Sequence, residues 1–171
     1  ALNQMLELHL PSNQIMEMGK KLGADVPFFL FGKTALATGI GEKLQELVIK
    51  PRLFLILVNP GIPISTAFAY QRLNRELTKR VNNTINIPTK VEELSDLIPL
   101  LSNDFEEVIF PLYPEIKEIK KRLILEGAQG SLMSGSGSTV FGMFESREEA
   151  IRVYQRLRLD THWKLFLAES I

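Results

Sequence analysis

The alternation of strand and helix patterns along this chain predicts an α/β or α+β sandwich, with helices packed on a sheet. Two observations carry that expectation. Leu53-Phe54-Leu55-Ile56-Leu57-Val58 is a continuous apolar run, as expected of a strand covered on both faces. Farther on, residues 131–134 and 139–144 read as paired strands around a glycine turn, with a helix pattern on each side. The length, 171 residues, suffices for one ordinary domain, or for a small domain plus a piece of another.

Taken in order, the chain opens on an amphipathic helix pattern, Leu2, Met5, Leu6 and His9, expected to run to about Leu10. No cap residue or initiator methionine precedes it, so the helix reads as already under way at Ala1. Pro11 and Ser12 stop it and start a second helix with Ile15, Met16, Met18 and Leu22 inward, ended by Gly23 in a left-handed conformation. Residues 26–31 and 34–38 read as two strands joined through Gly32-Lys33, and Gly39 and Gly41 mark a turn. Lys50-Pro51 is the expected domain boundary, giving 1–50 and 51–171.

After the apolar strand comes a rigid loop, Asn59-Pro60-Gly61-Ile62-Pro63, and then a helix capped by Ser65 or Thr66 and carrying Tyr70, Leu73 and Leu77. Residues 80–88, polar with two adjacent asparagines, read as a loop, followed by two or three short helices up to about Phe110. Pro114 starts a helix with Ile116, Ile119, Leu123 and Ile124 inward, and Gly127 and Gly130 end it. Ser146 and Glu149 form a capping box for a helix burying Ala150, Ile151, Tyr154 and Leu157, and residues 163–168 read as the last strand.

Composition narrows the chemistry. Twenty basic and twenty acidic residues cancel, so no global field favours nucleic acid or an anionic membrane, and a polyanionic ligand must be held locally. The absence of cysteine excludes disulfides and thiol catalysis, and two histidines without cysteine leave no structural zinc site. The longest apolar runs are far too short to span a bilayer.

Five places can carry chemistry. Asp25 lies just after Gly23 and before Val26-Pro27, where a carboxylate either caps a turn or serves a site, because an unpartnered buried Asp is costly. As a catalytic group it would accept a proton from an attacking hydroxyl. Ser134-Gly135-Ser136-Gly137-Ser138 packs two glycines and three hydroxyls into one turn, able to aim amides at a phosphate or to serve as a plain hairpin turn. It matches neither the P-loop, nor G-x-G-x-x-G, nor the nucleophile elbow. Tyr70 offers a ring that can stack on a base or fill core space. Asn103-Asp104-Phe105-Glu106 reads as an N-capping turn. Lys33 and Lys43 could meet phosphate, although solvated lysine is the simpler reading of each. His9 falls on a helix face and His162 at a strand entrance, and neither lies near Asp25 in sequence to build a hydrolytic triad.

Order and spacing add what single motifs lack. Gly23-Ala24-Asp25-Val26-Pro27-Phe28-Phe29, Gly39-Ile40-Gly41-Glu42, Asn59-Pro60-Gly61 with Ser65-Thr66-Ala67, Asn103-Asp104-Phe105-Glu106 and Met133-Ser134-Gly135-Ser136-Gly137-Ser138 follow one another. Over essentially the whole chain this series resembles the 4-diphosphocytidyl-2-C-methyl-D-erythritol kinase family of the GHMP superfamily. The resemblance implies an α+β fold, a GHMP C-terminal domain of helices on a mostly antiparallel sheet, preceded by the tail of an N-terminal domain. It implies transfer of the γ-phosphate of ATP, with Mg2+, to the 2-hydroxyl of a cytidine-diphosphate-linked methylerythritol, in the bacterial cytoplasm or a plastid.

By the same resemblance Asp25 falls on the catalytic aspartate, and Ser134, Gly135, Ser136 and Gly137 on a loop near the phosphates. Thr66 and Tyr70 fall near the cytidine-diphosphate pocket, and no residue is assigned to metal. In that family a Gly/Ser-rich ATP loop comes directly before the helix that Ala1 begins, and a lysine partner of the aspartate lies near the start. Neither is found here, so the expectation is a C-terminal part, inactive alone, with exposed apolar faces in residues 1–50 that lead either to a homodimer or to altered packing there. The rivals are a non-catalytic α/β module that binds a nucleotide or a partner chain, and another GHMP small-molecule kinase.

Overall fold

The computed structural model describes residues 2–23, 25–39, 41, 43–77, 87–88 and 90–170. Two compact units emerge, one of residues 1–50 with 88–91, the other of residues 51–87 with 92–171.

The first unit begins with α1, Leu2–Met5, a single turn and not the helix to Leu10 that the periodicity predicts. The Asn3 carboxamide explains the early stop. It donates to the Leu10 carbonyl (3.1 Å) and accepts from the Leu10 N–H (3.0 Å), closing a loop in which Glu7 and His9 take positive φ. Helix α2, Ser12–Leu22, starts after Pro11, which holds the N-cap position in place of a capping side chain. Gly23 ends it in an extended conformation (φ 169°), not the left-handed one expected, with its N–H on Gly19 O. Ile15 and Met16 are half-buried, whereas Met18 and Leu22 face solvent.

Residues 26–31 are the principal correction. They form a helix, α3, Val26–Phe31, and not a strand. Pro27 fits the first helical turn, where a missing N–H costs nothing, and Gly32 closes the helix at φ 66° with its N–H on Phe28 O. α2 and α3 meet closely at Gly19, where an added Cβ would stand 2.8 Å from Leu30 Cδ1 and 3.1 Å from Val26 Cγ1. An antiparallel hairpin follows, β1 (Ala35–Thr38) and β2 (Lys43–Glu46), with Ala35 opposite Glu46. Strand β3, Val48–Ile49, completes this stretch.

The second unit is built on β4, Phe54–Asn59. Helix α4, Thr66–Leu77, comes next, and the Leu77 side chain and residues 80–86 of the expected loop lie outside the described residues. β5, Lys90–Val91, returns to the first unit and pairs in parallel with β3, a pairing with no signal in the sequence. Short helices α5 (Leu94–Leu97) and α6 (Phe105–Ile109), with a 3-10 turn at Ile98–Leu100, lead to α7, Pro114–Leu125. β6 (Gly130–Met133), β7 (Val140–Phe144), α8 (Arg147–Asp160) and β8 (Lys164–Glu169) close the chain.

The sheet is antiparallel, in the order β6-β7-β4-β8, with Ile56 paired to Gly142 on one side and Leu167 on the other. Ile56 and Val58 are fully buried, while Leu55 and Leu57 are only half-buried, so β4 is covered more deeply on one face than its unbroken apolar run predicts. Ile116, Ile119 and Leu123 of α7 and Ala150, Val153 and Leu157 of α8 share one cluster with those strand residues. Each full burial of a valine, leucine or isoleucine among them stabilises the unit by about 1.5–3 kcal/mol. Ile124, expected inward, faces solvent, and Val153 takes the deep position expected for Ile151. Ser146 caps α8 by accepting the Glu149 N–H (3.2 Å). Among the described residues, no helix is long and apolar enough to cross a membrane.

Candidate functional site

Four sequence-predicted segments of the second unit meet at one end of the sheet. Strand β4 ends at Asn59, whose Oδ1 accepts the Gly61 N–H (2.7 Å) and whose Nδ2 donates to Thr139 Oγ1 (2.9 Å). One carboxamide thus shapes the Pro60–Pro63 turn and ties it to the strand that leaves the glycine loop. Ser138 adds a second tie, its hydroxyl donating to Ile62 O (2.7 Å).

The loop has its own frame. The Ser134 N–H donates to Thr139 O and the Gly137 N–H to Ser134 O, and Gly135 and Gly137 hold φ of 55° and 89°. Such values favour glycine, and this accounts for the alternation of serine with glycine. The Ser136 hydroxyl lies 3.2 Å from Thr66 Oγ1, in the first turn of α4, and either atom can donate. Ser65 supplies that helix with its cap, accepting the Phe68 N–H at 3.4 Å.

Tyr70 lies one turn farther along α4. It is 54% exposed, so it is not the core residue that helical spacing also allows. Its ring stands edge-on to Phe105, with centroids 5.0 Å apart and planes at 88°.

Phe105 belongs to the Asn103-Asp104-Phe105-Glu106 turn, where the sequence shows only a helix cap. Asn103 does cap, its Oδ1 accepting the Phe105 N–H (3.0 Å), and Asp104 makes no side-chain cap bond. The amide nitrogen of Asn103 reaches back to the glycine loop and donates to Met133 O (2.7 Å) and Gly135 O (2.8 Å). Glu106 holds the same strand end, accepting the Met133 N–H (2.9 Å) through Oε1 and the Lys120 ammonium through Oε2. Neither contact has a local signature, because each joins residues about thirty positions apart.

Asp25 belongs to the first unit and precedes α3 at the N-cap position, exposed and without a side-chain capping bond. Its carbonyl accepts the Phe28 N–H (3.2 Å), while its carboxylate makes no hydrogen bond or ion pair with the described residues. Of the neighbouring motif residues, Ala24, Ile40 and Glu42 lie outside the described residues. Lys33 is committed to Glu46 (2.8 Å), whereas Lys43 is exposed on β2. His9 sits in the loop closed by Asn3, and His162 approaches Glu115 (3.2 Å). Among the described residues, no group of three or more His, Cys, Asp or Glu side chains gathers to hold a metal ion.

Comparison with known proteins sets this geometry in context. A family model described as GHMP kinases C terminal matches residues 89–160. The chain is 47% identical over 156 residues to 4-diphosphocytidyl-2-C-methyl-D-erythritol kinase of Geobacter sulfurreducens, covering 91% of this chain and 55% of that protein. It is 50% identical over 161 residues to the protein of that name from Geobacter metallireducens, covering 94% and 56%. A crystal structure of 4-(cytidine 5'-diphospho)-2C-methyl-D-erythritol kinase superposes with a TM-score of 0.78 at 30% identity, over 97% of this chain and 60% of that one. The chain therefore spans a little over half the length of the curated relatives it matches.

Proposed function

We propose, from the match of residues 89–160 to the GHMP kinase C-terminal family, that the chain forms part of an ATP-dependent kinase. The acceptor is the 2-hydroxyl of 4-diphosphocytidyl-2-C-methyl-D-erythritol, the donor the γ-phosphate of ATP. Residues 1–50 are the tail of the N-terminal domain in this proposal, and residues 51–171 the C-terminal domain. The observation that carries it is the contact between Thr66 and Ser136, one hydrogen bond between the candidate nucleotide-diphosphate subsite and the candidate phosphate loop.

Phosphoryl transfer asks a protein mainly for alignment and charge neutralisation. The loop 134–138 supplies hydroxyls and a backbone held open by two glycines, beside the ATP phosphates. Tyr70 stacks on the cytosine, and Thr66 holds the diphosphate side of the same ligand. Asp25, whose carboxylate has no partner of its own among the described residues, accepts the proton of the attacking hydroxyl. Magnesium bound to ATP takes its ligands largely from phosphate oxygens and water, and the described residues offer no acidic cluster for it.

The test is steady-state turnover by the full-length gene product. Asp25→Asn should remove most of the rate while the melting temperature stays within a few degrees, and near-normal turnover would remove Asp25 from the mechanism. The 171-residue chain alone should show no turnover, because the amides of a Gly/Ser-rich ATP loop are not among its residues.

A further inference from the structure

Resting on the functional reading above, we propose that Asn103 is a positioning residue for the 134–138 loop. With it, the 103–106 turn fixes the spacing between that loop and the Tyr70 ring. Both subsites converge on this one turn. Asn103 donates one amide hydrogen to Met133 O, where β6 enters the loop, and the other to Gly135 O within it, and its oxygen accepts the Phe105 N–H of the turn itself. Two residues on, the Phe105 ring meets Tyr70. Glu106 anchors the assembly from beneath, bonded to Met133 N–H and to Lys120.

The loop needs such a brace. Two of its five residues are glycines in left-handed conformations, and a Cβ at Gly135 would meet nothing within 4 Å. A segment of that kind loses the most backbone entropy on ordering. Its own turn bonds, Ser134 N–H to Thr139 O and Gly137 N–H to Ser134 O, leave the Gly135 carbonyl to be fixed from outside. Asn103 fixes it, and with it the plane of the peptide that presents the Ser136 N–H. Only a carboxamide meets both demands at once. Aspartate keeps the acceptor for Phe105 N–H but turns an anionic oxygen on two carbonyl oxygens.

In this scheme the turn adds nothing to the chemical step itself. It sets where the donor phosphate and the acceptor nucleotide are held relative to each other, a geometry on which transfer depends steeply.

Two variants of the full-length gene product separate this role from simple stability. Asn103→Asp should lower kcat by roughly ten- to hundredfold, as misplacement by about 1 Å does, with little change in KM for the alcohol substrate. Phe105→Leu should give the opposite split, raising that KM severalfold with kcat nearly kept, because it frees the Tyr70 ring and spares the loop. Should Asn103→Asp fail to accumulate as folded protein, Asn103→Ser, smaller and uncharged, carries the same test. Wild-type kcat in a folded Asn103 variant with a lowered melting temperature would reduce the residue to a structural cap and overturn the proposal. Asp25→Asn in the same assay keeps the two levels apart. If it retains the full rate, the site assignment fails; if it loses the rate while Asn103→Asp does not, only the positioning role falls.

Discussion

Gly137 offers the sharpest structural test of the loop. Its φ is 89°, and an added Cβ would stand 2.8 Å from Met133 Sδ and 3.3 Å from Ile64 Cδ1. Met133 is fully buried, so relieving the contact means shifting a side chain within the core. Gly137→Ala therefore carries two costs, about 1–2 kcal/mol for a left-handed L-residue and about 1–3 kcal/mol for overpacking. Gly135→Ala is the internal control, since its φ of 55° incurs the first cost while open space removes the second. The expected gap between the two variants is thus about 2 kcal/mol, or roughly 4–8 °C in melting temperature for a chain of this size.

Trp163, the only tryptophan, lies in the second unit against its core, so its fluorescence follows the unfolding of that unit in urea. Met133→Ala supplies the second half of the test. Alone it opens a cavity and costs about 2–5 kcal/mol, but the same cavity receives the Cβ of Gly137→Ala. The double variant should be more stable than the sum of the singles by about 1 kcal/mol or more. Equal losses for Gly135→Ala and Gly137→Ala, or strict additivity with Met133→Ala, would refute the packing account.

Two other expectations concern stability and association. Glu126 accepts from Arg122 Nε (2.8 Å) and pairs with Arg156 (2.6 Å), joining α7 to α8 through a carboxylate only 9% exposed. Because both guanidinium groups are partly solvated, Glu126→Gln should cost about 1–2 kcal/mol in urea, with kcat of the full-length gene product unchanged. An unshifted midpoint would show the network to be energetically idle. In the first unit Leu2, Met5, Leu6, Leu22 and Phe29 are all more than half exposed, so the 171-residue chain should self-associate. A monomer by light scattering at micromolar concentration would contradict this.

The second unit was legible in the sequence wherever a pattern is local. Strand β4, the β6–β7 hairpin, the Ser146 cap and the helix opened by Pro114 follow from apolar runs, turn glycines and caps read over a few residues. Residues 26–31 misled because a six-residue apolar run has no period, so strand and buried helix look alike. Pro27 and Gly32, a proline in the first turn and a glycine just past the end, were the cues that favoured helix. The short opening helix failed for a different reason. Asn3 can form either a helix or a clasp on Leu10, and a periodicity count does not register the clasp.

The candidate site was legible as residue types and not as an assembly. Asn59, Asn103 and Glu106 each read locally as turn or cap residues, and two of them do serve that role. Their remaining polar atoms reach across the fold, Asn59 to Thr139, Asn103 to Gly135 and Glu106 to Met133. A side chain with several hydrogen-bonding positions can satisfy a local turn and a distant strand at once, and only the local half leaves a trace in spacing. The same distinction bears on Asp25. A carboxylate before a short helix reads first as a cap, yet it makes no capping bond and no ion pair with the described residues. A cap residue that does not cap contributes little to its helix, so the position is free to be filled by what the chemistry requires. Asp104 also precedes a short helix without a capping bond, so what singles out Asp25 is the Gly23-to-Phe29 motif around it, and turnover of the Asp25→Asn variant decides whether the reaction uses it.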